Sequence, residues 1–149
     1  MRVFRITLKK WSDKLQASGF SGRWNSKGKF VIYTSNSRAL ASLENLAHRS
    51  GEGLNALFST IMIEIPENLK IKKVKPNDLS QNWYKYENYS ECQEIGDRWL
   101  EEDEYCVLKV PSAIIKMESN YLINPNHNEF KKIKITTTEI FDFDPRFKK

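Results

Sequence analysis

Apolar and polar residues alternate in several short runs of this chain, and in one stretch the apolar positions recur every three to four residues instead. Alternation predicts strands at Val3–Leu8, Phe30–Thr34 and Phe58–Ile65, the last closed by Pro66, and an edge strand at Leu69–Val74 where apolar residues are interleaved with lysine. Further strands are expected at Tyr105–Val110, Ala113–Lys116, Tyr121–Ile123 and Lys132–Phe143. Ala39, Leu40, Leu43, Leu46 and Ala47 follow helical spacing, so a helix capped by Asn36 or Ser37 should run to about Arg49 and stop at Gly51-Glu52-Gly53. Residues 91–102 suit a short acidic helix. Residues 12–29, rich in Ser, Gly and Lys, read as a functional loop ending in the turn Asn25–Gly28, and residues 75–90 as a loop inside one domain.

Helices and strands do not alternate regularly, so the expected class is α+β, a single domain over residues 1–149 with a mixed, mostly antiparallel β core flanked by helices. A doubly wound nucleotide fold is excluded on the same ground, and neither GxGxxG nor GxxxxGK[ST] is present. The length of 149 residues with 40% hydrophobic content suits one core. No run approaches the roughly 18 apolar residues of a membrane span, and the opening MRVFRITLKKW turns polar too early for a signal peptide. A cytoplasmic protein without membrane association is the expectation. Cys92 and Cys106 provide neither a disulfide framework nor a zinc spacing, so no metal is expected.

Charge changes the picture more than composition does. Residues 1–75 hold 14 Lys and Arg against 5 Asp and Glu, a balance of +9, whereas residues 76–149 hold 10 against 14, a balance of −4. The first half should attract an anion: a nucleic acid, a phosphate-bearing small molecule or an acidic protein. A nucleic-acid binder or metal-independent RNase is the main rival class, but the lysines are dispersed and no RNP, KH or helix-turn-helix pattern occurs. An inactive interaction module is a third.

Several residues stand where chemistry is cheap to build. Arg23, between Gly22 and Trp24 in a loop, has the planar fork that clamps phosphate; the alternative is a surface arginine stacked on Trp24. Tyr33 ends a strand, where its ring could stack on a planar base or pack at the core's rim. Glu44 lies about 40° from Leu40 and 60° from Ala47 around its helix, on the edge of the apolar face. A partly desolvated carboxylate there can steady a developing cation, or it can be an exposed glutamate paired with His48. Ser112 and Asn124 are small polar residues at strand ends broken by proline, and His127 follows in the same loop as Asn124.

Taken in order, VFRI (3–6), SGRWN (21–25), VIYTS (31–35), ALASLENLAH (39–48), GDRWL (96–100), LKVPSA (108–113), YLINPNH (121–127) and FDPR (143–146) closely resemble the RES-domain family. The arginine, glutamate and serine that give this family its name correspond to Arg23, Glu44 and Ser112. Ser21 stands where a second glycine is common, and residues 67–95 match little. The resemblance implies an ADP-ribosyltransferase-like fold and the toxin half of a bacterial toxin–antitoxin pair, with NAD⁺ as substrate and no prosthetic group. It implies release of nicotinamide by glycohydrolase or phosphorylase chemistry, with transfer of ADP-ribose to a cellular protein as the alternative. The implied partner is an Xre-type helix-turn-helix antitoxin covering the active site, with a homodimer conceivable within that complex and no direct contact with nucleic acid. On this reading Arg23, Glu44 and Ser112 are catalytic, and Arg23, Trp24, Tyr33, Ser112, Asn124 and His127 hold the substrate.

Overall fold

Val3, Ile63 and Ile123 are completely buried although 60 residues separate each from the next, because strands from both halves of the chain meet in one sheet. The computed structural model describes residues 1–48 and 56–147. In chain order the elements are β1 (Arg2–Leu8), β2 (Ile32–Ser35), α1 (Arg38–His48), β3 (Phe58–Glu64), β4 (Ile71–Lys73), α2 (Tyr89–Glu102), β5 (Val107–Pro111), β6 (Ser119–Ile123) and β7 (Lys134–Phe141). Among the described residues the sheet runs β4-β5-β6-β2-β1-β3-β7, with every pairing antiparallel except β4 with β5. This is the mixed, mostly antiparallel α+β core that the sequence pattern indicates. No helix among the described residues is long and apolar enough to cross a membrane.

The alternating strands place their apolar residues as expected. Val3, Ile32, Ile61, Ile63, Val107 and Ile123 share one cluster. A second cluster gathers Leu108, Val110 and Leu122 of the sheet with Cys92 and Trp99 of α2, and adds Trp24 and Trp83 from loops. Helix α1 closes a third, in which Ala41 packs with Ile6, Phe58 and Phe143. Each fully buried aliphatic side chain of this kind contributes about 1.5–3 kcal/mol, so these clusters dominate the favourable side of folding.

Three expectations need correction. Ala113–Lys116 is not a strand: the Ser112 hydroxyl accepts the N–H groups of Ile114 and Ile115, both at 3.1 Å, and takes these donors away from any ladder. The chain instead turns tightly, and Pro111 pairs directly with Ser119. The strand expected from Lys132 starts at Lys134, because residues Phe130–Lys132 wind into a 3-10 turn first. The acidic helix begins at Tyr89, two residues early. Residues 75–88 form a connecting loop with two short 3-10 turns, as expected, and their Trp83 is buried and carries part of the core. The stop expected at Gly51-Glu52-Gly53 lies outside the described residues.

One irregularity positions everything that follows. Strand β1 pairs with β3 at seven positions but with β2 only at Phe4↔Ser35. Beyond that pair β1 and β2 diverge, and a cavity opens at the split.

Candidate active site

Glu44 sits where the helix geometry requires. The Ser37 hydroxyl accepts the Leu40 N–H at 3.1 Å and starts α1, whose Leu40 and Ala41 are buried. One turn on, the Glu44 side chain is 18% exposed at the edge of that face. Its Oε2 accepts hydrogen bonds from Ser112 Oγ at 2.8 Å and from Asn120 Nδ2 at 2.6 Å, and its Oε1 lies 3.4 Å from His48 Nε2. Burial alone would push this carboxyl up. The hydrogen bonds from His48, Asn120 and Ser112 outweigh that and hold it below the ordinary carboxylate range. The pairing with His48 is therefore real, yet Glu44 is not the exposed residue that this pairing alone would suggest.

The partners of Glu44 come from strand ends that the sheet brings together. Asn120 of β6 lies opposite both Ser35 of β2 and Val110 of β5, and its Oδ1 accepts the Ser35 hydroxyl at 2.7 Å. Ser112, completely buried just past β5, accepts two backbone N–H groups and gives its own proton to Glu44. Its hydroxyl is fully occupied, so Ser112 acts by fixing the carboxylate and offers no surface to a ligand.

Arg23 is held differently from the packing on Trp24 weighed above. Its Nη1 donates to the Trp83 carbonyl at 3.2 Å and its Nη2 to the Tyr84 carbonyl at 3.0 Å, while the guanidinium lies 4.7 Å from the Tyr89 ring centroid. The surrounding loop is anchored by α2. Gln93 Nε2 donates to the carbonyls of Gly22 and Asn25 at 2.9 and 3.1 Å, and Asp97 accepts the N–H and hydroxyl of Ser26 at 3.0 and 2.6 Å. Asn25, itself buried, donates to the carbonyls of Phe20 and Lys29 and accepts the Tyr33 hydroxyl. The Tyr33 hydroxyl in turn accepts the Trp24 N–H at 3.0 Å, and burial pushes its pKa up. Gly28, at φ +87°, supplies the left-handed turn that closes this loop.

These groups face one cavity of about 390 Å³, lined by Arg5, Arg23, Tyr33, Glu44, His48 and Asn120 among others. Trp11 and Phe20, 50% and 79% exposed, also line it. The structure thus brings Arg23, Tyr33 and Glu44 to one site with Ser112 behind them. Three other expected ligands need correction. Trp24 is 2% exposed and packs against Trp83 in the core. Asn124 lies at the far end of β6, where its Nδ2 donates to Asp103 Oδ1 at 3.3 Å. His127 accepts the Glu129 N–H at 3.0 Å and lines a separate polar depression with Asp103 and Lys131.

Asn120 and Arg5 are the residues that sequence reasoning missed. Both stand inside strand runs, and only the parity of β6 relative to α1 and the divergence of β1 from β2 turn them towards the cavity. No cluster of His, Cys, Asp and Glu among the described residues could hold a metal ion. Among the described residues the site combines guanidinium groups with one ionised carboxylate and an aromatic wall. This combination suits a ligand that carries both anionic groups and a centre that becomes cationic.

The chain resembles known proteins along most of its length. The family described as RES domain matches residues 2–144. The chain is 33% identical to Toxin Res of Yersinia enterocolitica serotype O:8 / biotype 1B (strain NCTC 13174 / 8081), covering 99% of this chain and 100% of that protein. It is 32% identical to the Prs ADP-ribosylating toxin of Sphingobium sp. (strain YBL2), covering 91% and 87%. Among solved structures it resembles a chain of the M. tuberculosis MbcT–MbcA toxin–antitoxin complex, with a TM-score of 0.76 over 95% of this chain and 84% of that one. At 18% identity this last likeness concerns the fold alone.

Proposed function

Because this chain belongs to the RES-domain family, we propose that it is the toxin of a toxin–antitoxin pair and consumes NAD⁺ by cleaving the nicotinamide–ribose bond. The observation that carries this reading is Glu44, an ionised carboxylate held on Oε2 by Ser112 and Asn120 at the wall of a cavity that also presents Arg23 and Tyr33.

The bond breaks heterolytically. Its electron pair leaves with nicotinamide, whose pyridinium charge is neutralised, and positive charge develops on ribose C1′ and the ring oxygen. A fixed negative charge beside that sugar stabilises the transition state more than the ground state, which is the condition for catalysis. Glu44 supplies this charge and accepts ribose hydroxyls; Ser112 and Asn120 hold it in place at no reorganisation cost during the step. Arg23 draws in the diphosphate, and Tyr33, with its hydroxyl tied down, offers ring surface to the nicotinamide. An acceptor then adds to C1′ and loses its proton, giving free ADP-ribose if the acceptor is water. Transfer to a protein is the second reading, and the name of the Sphingobium relative favours it.

The exposed Trp11 and Phe20 at the cavity mouth fit an antitoxin that blocks entry. Incubation of the purified protein with NAD⁺, and separately with RNA, tests the reading. Nicotinamide release with intact RNA is expected, RNA loss with intact NAD⁺ refutes it, and product mass identifies the acceptor.

A further inference from the structure

Glu44 and Arg23 are held by different parts of the chain. Arg23 donates to the carbonyls of Trp83 and Tyr84. Glu44 is held by Ser112, whose hydroxyl also accepts the N–H groups of Ile114 and Ile115. The turn beyond Ser112 is closed on itself: the Ser112 N–H donates to the Glu118 carbonyl at 2.8 Å, and the Glu118 N–H to the Ile115 carbonyl at 2.9 Å. Lys116 stands exposed within that turn. An ammonium is strongly hydrated, so an exposed lysine ordinarily extends into water. Lys116 instead folds back until its Nζ lies 3.4 Å from the centroid of the Tyr84 ring. The other cation–ring contacts given above and at Lys10, Arg38 and Lys109 are longer, from 4.7 to 5.9 Å.

The Tyr84 ring is half-buried and stands nearly perpendicular to the buried Trp83 ring, at 89° with centroids 6.1 Å apart. Tyr84 and Ala113 of the turn pack on the same core cluster. The lysine contact therefore joins the turn that holds Glu44 to the residue whose carbonyl holds Arg23. On the other side of the same arginine, the Tyr33 hydroxyl ties the loop to the sheet through Trp24 and Asn25. We propose that Lys116 is a positioning residue, whose ammonium on the Tyr84 ring clasps the Ser112 turn to the segment bearing Trp83 and Tyr84 and so fixes the spacing between the Glu44 carboxylate and the Arg23 guanidinium. Lys116 does not line the cavity and acts through these neighbours. Its effect on turnover rests on reading the cavity as an NAD⁺ site, whereas the clasp itself does not.

The test compares the full chain with Lys116→Gln, Lys116→Arg, Tyr84→Leu and the double variant of Lys116→Gln with Tyr84→Leu. It reads the single-turnover rate of nicotinamide release, NAD⁺ affinity by calorimetry, and amide hydrogen exchange at Ile114 and Ile115 by NMR. Lys116→Gln is expected to slow release about two- to fivefold, which is what an exposed cation–ring contact is worth, and to leave affinity within about 1.5-fold. The two amides should exchange faster by a similar factor. Arginine also stacks on an aromatic face, so Lys116→Arg should restore release and exchange to within about 1.5-fold of wild type. In the Tyr84→Leu background, Lys116→Gln should change neither any further. An unchanged release rate in Lys116→Gln overturns the proposal even if the thermal midpoint falls, since the contact would then only stabilise the fold. A change in affinity alone also overturns it, because it marks attraction of an anionic substrate by a surface charge. So does a slowing that Lys116→Arg does not restore or that persists in full beside Tyr84→Leu, because the lysine would then act other than through the ring. If wild type releases no nicotinamide, the proposed function fails and exchange decides: faster exchange in Lys116→Gln, absent beside Tyr84→Leu, upholds the clasp, and unchanged exchange overturns it. Should Tyr84→Leu not fold, the two Lys116 variants decide by whether arginine restores what glutamine loses.

Discussion

At the scale of single residues, the site turns on how Glu44 is held. Because Oε2 receives two hydrogen bonds and Oε1 faces His48, the carboxylate is oriented before any ligand arrives. Glu44→Gln keeps the shape and removes the charge, so NAD⁺ affinity should stay within a few-fold while single-turnover nicotinamide release slows by at least about 100-fold. Retained turnover would refute the catalytic role. Titration separates holding from shape. A folded-state pKa below the ordinary value means that Glu44 stabilises the fold above the unfolded carboxyl pKa, and that this stability is lost as pH falls through the lower folded value. The acid limb of kcat/KM in the wild type should therefore lie below the ordinary range for a glutamate carboxyl, because the hydrogen bonds from His48, Asn120 and Ser112 favour the charged form. In Asn120→Ala one of the opposing hydrogen bonds is gone and burial still pushes upward, so the limb should move to higher pH; an unmoved limb would remove Asn120 from the network. Arg23→Lys keeps a cation but cannot donate to the Trp83 and Tyr84 carbonyls as a planar fork. A loss of order 10²-fold in kcat/KM is expected, and near wild-type turnover would show that Arg23 does not clamp the substrate.

At the scale of elements, α2 acts on the site from behind the cavity wall, where its Tyr89 ring lies against the Arg23 guanidinium. Gln93 and Asp97 tie down the Gly22–Ser26 segment, and Gly96 lets the helix approach so closely that a Cβ there would collide with the Trp24 carbonyl oxygen. That atom is backbone and cannot swing aside. Gly96→Ala should destabilise the protein by about 3 kcal/mol, at the upper end of ordinary overpacking, and displace Arg23 with the loop. Chemical denaturation of purified protein checks this, and a change under about 0.5 kcal/mol would show that the helix can back away. The GDRWL block reads in this light as architecture: Gly96 makes room, Asp97 fixes Ser26, and Trp99 fills the core while its Nε1 donates to the Tyr105 carbonyl at 2.7 Å.

At the scale of the whole molecule, the split between β1 and β2 joins the basic first half of the chain to strand ends from the second. Expression of the chain alone should lower cellular NAD⁺ and arrest growth, and Glu44→Gln should abolish both effects at equal protein level. Unchanged NAD⁺ in cells making soluble wild-type protein would sink the proposed function.

What the sequence determined by itself follows from local physics. Alternation placed most of the strands, helical spacing and a serine cap placed α1, and the angle between Glu44 and Leu40 placed that carboxylate at the edge of the buried face, where its 18% exposure puts it. Arg23 and Tyr33 were legible because a loop arginine and a strand-end aromatic break the local rules of a core. Tertiary structure decided the rest. Asn120 and Asn124 are both polar residues near the ends of one short run, and only the pairing of β6 with β2 and β5 sets the first beside Glu44 and the second beside Asp103. Trp24 was drawn into the core by Trp83, a residue whose burial no local pattern announced. Periodicity reports which side of an element is apolar. It carries no information on which other element arrives there, and the two hydrogen bonds on Oε2 of Glu44 are made by partners 68 and 76 residues away.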